Sequence, residues 1–592
     1  MTYIQKLTPP PNRVLSFSLR DFVGGLNNRS EQLQVNEASD VLNMMFADDT
    51  VMEKRKGQEY FDEVTINGTV NFIDEFKPYN DLDILIRGTN SSIRFGASES
   101  IPIINKPCGV NHQGNYIFVD GEKIYVYGKF PQTTSTHEVI VGTPINNYTL
   151  MEITSPPDGH ARLGTSHKQG VTRYNYTTMA IWYEPCENEF VDVYMGANKI
   201  PENPKYIVSH NGRLFLSGSD KDDDNVFISD IKNPYYFPVT LPIQIPPNSD
   251  KVAGLIVYDN SVVIGRKDDI YVIYGDTNRP NFGFDVFRLR KLNSHCGIAS
   301  NDAACIAHNF MFFLGSDGNA YSLSSTRNDE KILSTTLLTR KISLNSSPID
   351  IDLGLSLSTS CSVFFNDEWY VSVGDKVLVY SYRHKSWTLY NNINARYFYN
   401  LNGVMIWGKE DGRIAKFSNN YFDFGKPFKA IWASKYFDMD DANTFKQFRE
   451  FFLVVHTFAD VQSDIYVNFQ IDYFDVQSSV VISNEVAIFG KTRWGARFIN
   501  RNIVHSLPFV IGRRGRAIKF ILTCGHFIES TVFDIRELNL HPKKNEILVY
   551  VESEDKYYIS DGFKWIETPY SYLNQTMKIY QINGDYELRG KR

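Results

Sequence analysis

Two stretches, VVIGRKDDIYVIY at residues 262–274 and WYVSVGDKVLVY at residues 369–380, decide the fold of this chain. Each has a run of apolar residues, a short polar turn with a glycine, and a second apolar run. β-Branched and aromatic side chains suit a pleated strand, and glycine suits a tight turn, so this order is typical of a β-hairpin. Each stretch therefore predicts two antiparallel strands.

The same pattern recurs along the middle of the chain and predicts seven hairpins in all. Their glycines are Gly88, Gly121, Gly218, Gly265, Gly315, Gly374 and Gly408. The gaps between them are 33, 97, 47, 50, 59 and 34 residues, and three consecutive gaps are near the ~40–50 residues of a propeller blade. The gap of 97 fits one further unit plus an insertion, with a candidate strand at residues 181–183. We expect a β-propeller of roughly five to seven blades, with a sandwich or paired barrels as alternatives.

The ends of the chain follow other patterns. Residues 1–65 are predicted to form an N-terminal assembly segment, mostly irregular, with one helix from about Asn36 to Met45. Asn36 would cap this helix, and Ala38, Val41, Leu42 and Met45 would line one face.

Residues 66–425 are assigned to the β-propeller, with an insertion at about 133–204 that is rich in Thr, Pro, Asn and Gly. Residues 426–545 contain stretches in which apolar and polar residues alternate, which predicts a β-sandwich. Residues 546–592 are expected to form a C-terminal hairpin and tail. The fold class is therefore all-β, since 592 residues are too many for one core and 14% of them are aromatic.

Composition narrows the function classes. The net charge is −7, whereas a free-standing nucleic-acid binder usually carries a basic excess. The six cysteines include no CxxC pair, which excludes a zinc ribbon and favours buried thiols in a reducing compartment. No apolar stretch of signal-peptide length begins the chain, and no run of about 18 apolar residues occurs in it. We expect a soluble protein that is made in the cytosol and does not span a membrane.

Motifs that carry chemistry are missing from the sequence. It has no phosphate-binding glycine loop, no GxSxG elbow and no HExxH motif, so neither catalytic residues nor a cofactor are predicted. The chain is expected not to be an enzyme.

Each of two charged clusters can be interpreted either as a binding site or as an ordinary solvent-exposed turn. An acidic cluster at residues 220–225 could hold calcium, but it lacks the EF-hand pattern and is interpreted as a solvated turn, so no metal site is predicted. A basic cluster could meet phosphates or form a surface turn; it consists of Arg513, Arg514 and Arg516.

The first 60 residues resemble the opening of phage tail nozzle proteins, also called tail tubular protein B. The matching stretches are FVGGLN at 22–27, EASDVLN at 37–43 and VMEKRKG at 51–57, which compare with a GGxx segment, an "ea..l.N" stretch and a "G.l.kRpG" turn. Lys56 stands where the family has proline. Further along, NGRLFLSG at 211–218 and SDIKNPYYF at 229–237 resemble two more family segments. The resemblance covers about 425 residues.

The resemblance implies a propeller with platform domains, assembled as a ring, usually a hexamer, around the DNA exit channel of a virion. The partners implied are other copies of the chain, other tail or connector proteins, and double-stranded DNA in passage. The candidate assembly residues are Phe22, Gly24, Gly25, Leu26, Asn27, Leu42, Asn43, Arg55 and Gly57. Two other functions stay open: a receptor-binding or glycan-cleaving virion propeller, and a cellular propeller scaffold.

Overall fold

The structure is a computed structural model of the full chain. It describes residues 14–589 apart from several gaps. These gaps are 30–32, 131–138, 141–146, 155–170, 176–177, 185–199, 232, 239–241, 248–249, 276–286, 293, 295, 327–331, 343–356, 458–462, 473, 485–502, 526–527, 531–547, 552–555, 561–564 and 568–575.

The N-terminal part of the chain forms six short strands. They are β1 (Val14–Leu19), β2 (Gly25–Leu26), β3 (Glu37–Leu42), β4 (Met44–Phe46), β5 (Met52–Lys54) and β6 (Gln58–Tyr60).

Strands β7 to β36 then follow the hairpin pattern. The first sheet has β7 (Phe72–Phe76), β8 (Ile84–Gly88), β9 (Ser92–Phe95) and β10 (Ile101–Pro102). The second has β11 (Cys108–His112), β12 (Asn115–Val119), β13 (Ile124–Gly128), β14 (Val139–Ile140), β15 (Thr149–Ile153), β16 (Val171–Asn175) and β17 (Ala180–Glu184). The third has β18 (Tyr206–His210), β19 (Arg213–Ser217), β20 (Asn225–Ile228) and β21 (Ile243–Gln244).

Four more sheets complete the series. They contain β22 (Val252–Tyr258), β23 (Ser261–Arg266), β24 (Ile270–Tyr274) and β25 (Arg288–Lys291); β26 (Ala304–Ala307), β27 (Phe310–Leu314), β28 (Ala320–Thr326) and β29 (Ile332–Leu337); β30 (Cys361–Phe365), β31 (Glu368–Val373), β32 (Lys376–Ser381) and β33 (Ser386–Tyr390); and β34 (Tyr397–Leu401), β35 (Val404–Gly408) and β36 (Ile414–Phe417). A short 3-10 turn, Asn301–Ala303, precedes β26.

The C-terminal part adds fourteen strands in its described residues. They are β37 (Phe422–Asp423), β38 (Lys426–Pro427), β39 (Ala430–Ser434), β40 (Lys446–Thr457), β41 (Ser463–Ile471), β42 (Phe474–Asn484), β43 (Ile503–Val510), β44 (Arg514–Gly515), β45 (Ile518–Cys524), β46 (Ile528–Ser530), β47 (Leu548–Val551), β48 (Lys556–Ser560), β49 (Trp565–Glu567) and β50 (Lys578–Leu588).

The sheets from β7 to β36 form a β-propeller. The first strands of successive sheets follow one another around a ring in the order β7, β11, β18, β22, β26, β30 and β34. The 3-10 turn lies between β22 and β26, and β34 returns to β7. Five of the sheets are blades of four strands in chain order, and the second begins in chain order with β11, β12 and β13 before continuing with β15, β17, β16 and β14. The last sheet takes its fourth strand from the N-terminal segment, because β6 pairs antiparallel with β36. This pairing joins the two ends of the propeller and closes the ring.

The predicted hairpins are confirmed, and each lies in a different sheet of this ring. The glycines at 88, 121, 218, 265, 315, 374 and 408 all lie at or beside the turn between the second and third strands. The candidate strand at residues 181–183 is also present, as part of β17. In the described residues of the long gap there is no separate blade, because β14, β16 and β17 continue the second sheet. Most of the predicted insertion at 133–204 lies outside the described residues.

The predicted helix from Asn36 to Met45 is wrong. β3 and β4 occupy this stretch, separated by Asn43, whose φ is 55°. β3 pairs with β39 on one side and meets β33 on the other, so its backbone groups are used in a large sheet. Because these long-range pairs outweigh a weak local preference, the apolar spacing of the segment does not produce a helix. The described residues contain no α-helix, and therefore no helix that could cross a membrane.

Two sheets make up most of the region beyond the propeller. One has the order β4-β5-β50-β40-β43, with β1 on β50, and the other continues from β33 through β3, β39, β45, β41 and β42. Rings from both sheets meet in one core: the centroid of Phe451 lies 5.3 Å from that of Phe520. This core also takes in β2 and β3, so the N-terminal segment joins the last blades to the C-terminal sheets.

Candidate functional site

The predicted assembly residues are built into this junction. Gly24 and Leu42 are half-buried, and the other seven are buried within the chain itself. Phe22 packs edge-on against Trp432, with ring centroids 4.9 Å apart, and the Asn27 side chain donates to Glu37 Oε2 at 2.8 Å. The segment is therefore held mainly by intramolecular contacts. A role of these residues in contact with another copy stays a prediction.

Arg55 is the centre of the junction. Its guanidinium makes a bidentate pair with Asp423, at 2.9 and 2.7 Å, and its side chain is 1% exposed. Its Nε donates to Asn43 Oδ1 at 3.0 Å, and the group stacks over the Phe428 ring, 3.8 Å from the centroid. Asn43 in turn donates to the carbonyl of Lys429 at 2.7 Å. These bonds connect the N-terminal segment with β37 and with the start of β39.

Gly57 and Gly25 are fixed by space and backbone conformation. A Cβ at Gly57 would lie 1.9 Å from the Phe422 carbonyl oxygen, closer than any real contact. Gly25 has a φ of +70°, which disfavours other residues, and it lies against the backbone of Trp387. The glycines of the "GG" and "RpG"-like stretches are thus required where the segment passes close to another strand.

Lys54 is a functional candidate that the sequence did not single out. It is fully buried, with Nζ 4.2 Å from the centroid of the Phe428 ring, and burial lowers its pKa to about 8. A buried amine with a lowered pKa can carry chemistry, but cation–ring contacts of this kind also stabilise cores. Its position beside Arg55 places it in the structural junction.

A second cluster lies at the propeller axis, where the first strands of the blades begin. Lys106 precedes β11 and forms an ion pair with Asp302, which belongs to the 3-10 turn before β26. β18 and β22 separate these strands on one side of the ring, and β30, β34 and β7 on the other, so the pair bridges opposite sides of the ring. The Lys106 Nζ also lies 5.4 Å from the centroid of the Tyr397 ring.

Asp74 of β7 is the unusual carboxyl of this cluster. Burial raises its pKa to about 6, although the Tyr116 hydroxyl donates to it at 2.5 Å. Burial also holds the pKa of Tyr397 well above its ordinary value, with the charges of Asp302 and Asp74 adding to the effect. Tyr397 therefore lies within electrostatic reach of both Asp302, which is paired with Lys106, and the buried Asp74, whose pKa is raised.

A cavity of about 330 Å³ lies along the same axis. Its wall is mixed, with apolar residues from several first strands and polar groups at Ser209, Asn301, Asp302, Ser362 and Tyr397. A pocket of this size and lining could hold a small polar molecule. The cavity could not be predicted from a local motif, because its walls come from strands spread over almost 300 residues.

Two aspartates of the acidic cluster at 220–225 are paired with basic side chains. Asp220 accepts from Lys205 at 2.7 Å and from Lys251 at 3.2 Å, and Asp224 pairs with Arg266. Hydrogen bonds from the two lysines lower the pKa of Asp220. Ammonium groups in these positions would repel a metal ion. Among the described residues, no group of His, Cys, Asp and Glu side chains is arranged to hold one.

The basic cluster forms an exposed turn at the end of the C-terminal sheets. Arg514 and Arg516 lie against the Phe445 ring, with guanidinium carbons 4.7 and 4.9 Å from its centroid. Arg514 also donates to the carbonyl oxygen of Arg589 at 3.3 Å. The plain interpretation of this cluster, a surface turn before β45, describes its position.

Comparisons with known proteins identify no family. No family model matches the chain, and no curated protein matches it. Among solved structures, apo AztD from Citrobacter koseri has a TM-score of 0.29 at 13% identity, covering 55% of this chain and 87% of that one. The AfRom2 CNH domain has 0.31 at 8%, covering 61% and 99%, and PorZ of the Porphyromonas gingivalis type-IX secretion system has 0.25 at 12%, covering 55% and 41%. Likenesses at this level give no indication of function.

Proposed function

We propose that this chain is a structural subunit of a phage tail, forming part of the ring or tube through which DNA leaves the virion. The observation that carries the proposal is the position of the motif residues. The stretches that resemble nozzle proteins, at 22–57, are the ones that join the propeller to the C-terminal sheets through Asn43, Arg55 and Gly57. Matching residues that hold two domains together are expected of a structural subunit, whereas matching residues on the surface would be expected of a binding protein.

The second pair of matching stretches supports the same proposal. NGRLFLSG forms the turn before β19, β19 itself and Gly218, and Arg213 donates to the Ser229 carbonyl at 2.9 Å. Tyr235 and Phe237 of the SDIKNPYYF stretch are buried beside the same sheet. The resemblance is therefore concentrated at positions that shape the fold.

We further infer a division of the chain that fits a tail subunit. The sheets centred on β40 and β45 form a β-sandwich that serves as a platform, and the strands β14 to β17, within the insertion predicted at 133–204, extend the second blade. The assembled ring, expected to be a hexamer, contacts other tail or connector proteins and lets double-stranded DNA pass through its centre. No catalytic step is assigned to the chain.

Tail particles provide the test. Mass spectrometry of purified virions is expected to detect the chain, and gold-labelled antibody is expected to bind at the tail. Cryo-electron microscopy of the same particles should fit the propeller into density that surrounds the channel. Absence of the chain from intact, infectious particles would overturn the proposal.

A glycan-binding or glycan-cleaving propeller is the second candidate, and one observation favours it. The charges of Asp74 and Asp302 both raise the pKa of the Tyr397 hydroxyl at the axis. Burial raises the pKa of the Asp74 carboxyl to about 6, which is the range that a general acid requires. The Lys106 pair on Asp302 argues against it, because a nucleophile or base must be accessible. Hydrolysis of host surface glycans that disappears in both Asp74→Asn and Asp302→Asn would establish this alternative.

A further inference from the structure

One edge of the propeller is almost entirely formed by two-residue turns. They join the first and second strands of the blades, and both residues of each turn have positive φ, as in the hairpin turns that match strand twist. The turns are Gln113–Gly114, Asn211–Gly212, Asp259–Asn260, His308–Asn309, Asn366–Asp367 and Asn402–Gly403. Only the first blade departs from this rule in the described ring, since residues 77–83, here named the blade-1 loop, connect β7 with β8.

The blade-1 loop presents two apolar side chains to solvent. Tyr79 is 76% exposed and Leu82 is 89% exposed, the highest values among the large hydrophobic residues that the structure describes. Two large apolar side chains exposed side by side on one loop form a candidate contact surface.

The loop is held in place before any partner binds. Asp81 accepts from Lys129 and from the Tyr148 hydroxyl, both at 2.5 Å, and the Lys77 amide donates to Asn111 Oδ1 at 2.8 Å. A loop that is already fixed loses little conformational entropy on binding, which favours association. Its remaining acid, Asp83, is exposed and makes no ion pair within the described part of the chain.

A complementary patch lies on the C-terminal sheets. Val510 is 66% exposed, next to the turn that carries Arg514 and Arg516. In the described residues neither arginine is ion-paired with a carboxylate, and both are held against Phe445. Val510 has the two arginines on one side and the exposed Glu450 opposite it on β40. The blade-1 loop has the exposed Lys77 at its start and Asp83 at its end, so the complementary charges of the two surfaces are Asp83 and the two arginines. No hydrogen bond or ion pair joins the two surfaces within the described chain.

We propose that the blade-1 loop of one subunit binds the Val510–Arg516 patch of a second copy of this chain. Tyr79 and Leu82 would cover Val510, and Asp83 would face Arg514 or Arg516. Because the two surfaces differ, the contact is head-to-tail, and such contacts close into rings when the rotation between neighbours allows it. The inference deepens the proposed function, since it supplies the contact between subunits of the ring.

Cysteine pairing tests the direction of the contact. The double variant Leu82→Cys with Val510→Cys, oxidised mildly at high protein concentration, is expected to give a ladder of covalent multimers on non-reducing gels. Each single variant and the parent protein, treated in parallel, should give no ladder. A dimer as the main product of either single variant would show a symmetric contact and overturn the proposal, as would the absence of a ladder in the double variant.

Sedimentation equilibrium of the full chain then tests the chemistry. Tyr79→Ser with Leu82→Ser is expected to lower the association constant by about tenfold or more, as for the loss of an aromatic anchor. Val404→Ser is the matched control: Val404 is 43% exposed beside the equivalent turn of the last sheet, and its loss should change nothing. An equal loss in the control would overturn the assignment of the contact to the blade-1 loop.

Charge reversal provides a rescue experiment. Asp83→Arg and Arg514→Asp are each expected to weaken association by about three- to tenfold at low salt, and the two changes in one chain should restore it. Additive losses in the double variant would contradict the pairing. A protein that self-associates through this contact but is absent from virions would refute the proposed tail function alone. A virion protein without the ladder would refute this contact alone.

Discussion

Two ion pairs join distant parts of the chain, one at the N-terminal junction and one at the propeller axis. The Arg55–Asp423 pair is bidentate, with side chains 1% and 9% exposed, and Asn43 and Phe428 complete its surroundings. The Lys106–Asp302 pair has one charged contact, with side chains 35% and 15% exposed. The first lies inside the protein, and the second is in reach of water.

The difference in burial indicates different roles for the two ion pairs. A buried pair must keep every partner, because an unpaired charge in the interior costs several kcal/mol. A partly exposed pair can exchange its partner for water or a ligand at small cost. We therefore expect the junction to be a permanent part of the fold, and the axis to tolerate change.

Loss of the junction pair is the largest expected effect. Arg55→Leu leaves Asp423 buried without its partner and should destabilise the chain by about 3–5 kcal/mol, or prevent folding. Thermal and urea unfolding, followed by tryptophan fluorescence, measure the change. The double variant Arg55→Leu with Asp423→Leu should recover part of the loss.

The matched control for this variant is Arg383→Leu. Arg383 pairs with Asp49 on the surface, with side chains 65% and 71% exposed, so its loss should cost less than about 1 kcal/mol. Equal effects of Arg55→Leu and Arg383→Leu would show that burial does not distinguish these two pairs.

The second effect is a pH dependence at the axis. Burial raises the pKa of Asp74 from 3.8 to about 6, so the folded chain holds this proton more tightly than the unfolded chain. The resulting stability is full below pH 3.8 and is lost as the pH rises through about 6. Asp74→Asn removes the ionisation and should be more stable than the parent above pH 7, by about 1–3 kcal/mol.

Melting temperatures of the two proteins between about pH 4 and pH 8 test this expectation. The curves should meet near the acidic end and separate as the pH rises. A constant difference between them would show that Asp74 does not titrate in this range.

The hairpins were predictable and the axial cluster was not, for a physical reason. A hairpin consists of about ten consecutive residues, such as those around Gly265 and Gly374, so the local sequence pattern is sufficient to predict it. The axis brings together Lys106, Asp302 and Tyr397 from three sheets, and no spacing in the chain records that approach. The helix at 36–45 failed for the same reason, since pairing with β33 and β39 is decided elsewhere. The Asn-Gly dipeptides at 211–212 and 402–403 are local signals of two turns at the ring edge.

The third effect is smaller and concerns the axial pair. Lys106→Met removes the charge at the propeller axis while keeping most of the chain length, and Asp302 can turn to water. We expect a loss of stability below about 1 kcal/mol, as for other partly exposed pairs. A loss of stability comparable with that of Arg55→Leu would show that the axial pair contributes as much to the fold as the pair at the junction.

The smallest expected effect concerns the acidic cluster at 220–225, whose charged groups are more exposed than those at the junction and the axis. Asp220 is 48% exposed and already shares two lysines, Lys205 and Lys251. A calcium ion would have to displace both ammonium groups, so neither calcium nor EDTA is expected to shift the melting temperature, because only a ligand that binds the folded state stabilises it. The variant Lys205→Ala with Lys251→Ala sharpens the test, since it leaves Asp220 without its two cations while the Asp224–Arg266 pair remains. Stabilisation by calcium in this variant alone would show that the lysines occupy a latent cation site. Stabilisation of the parent protein would show that the cluster binds metal despite them, and would contradict the interpretation of this turn as a solvated one.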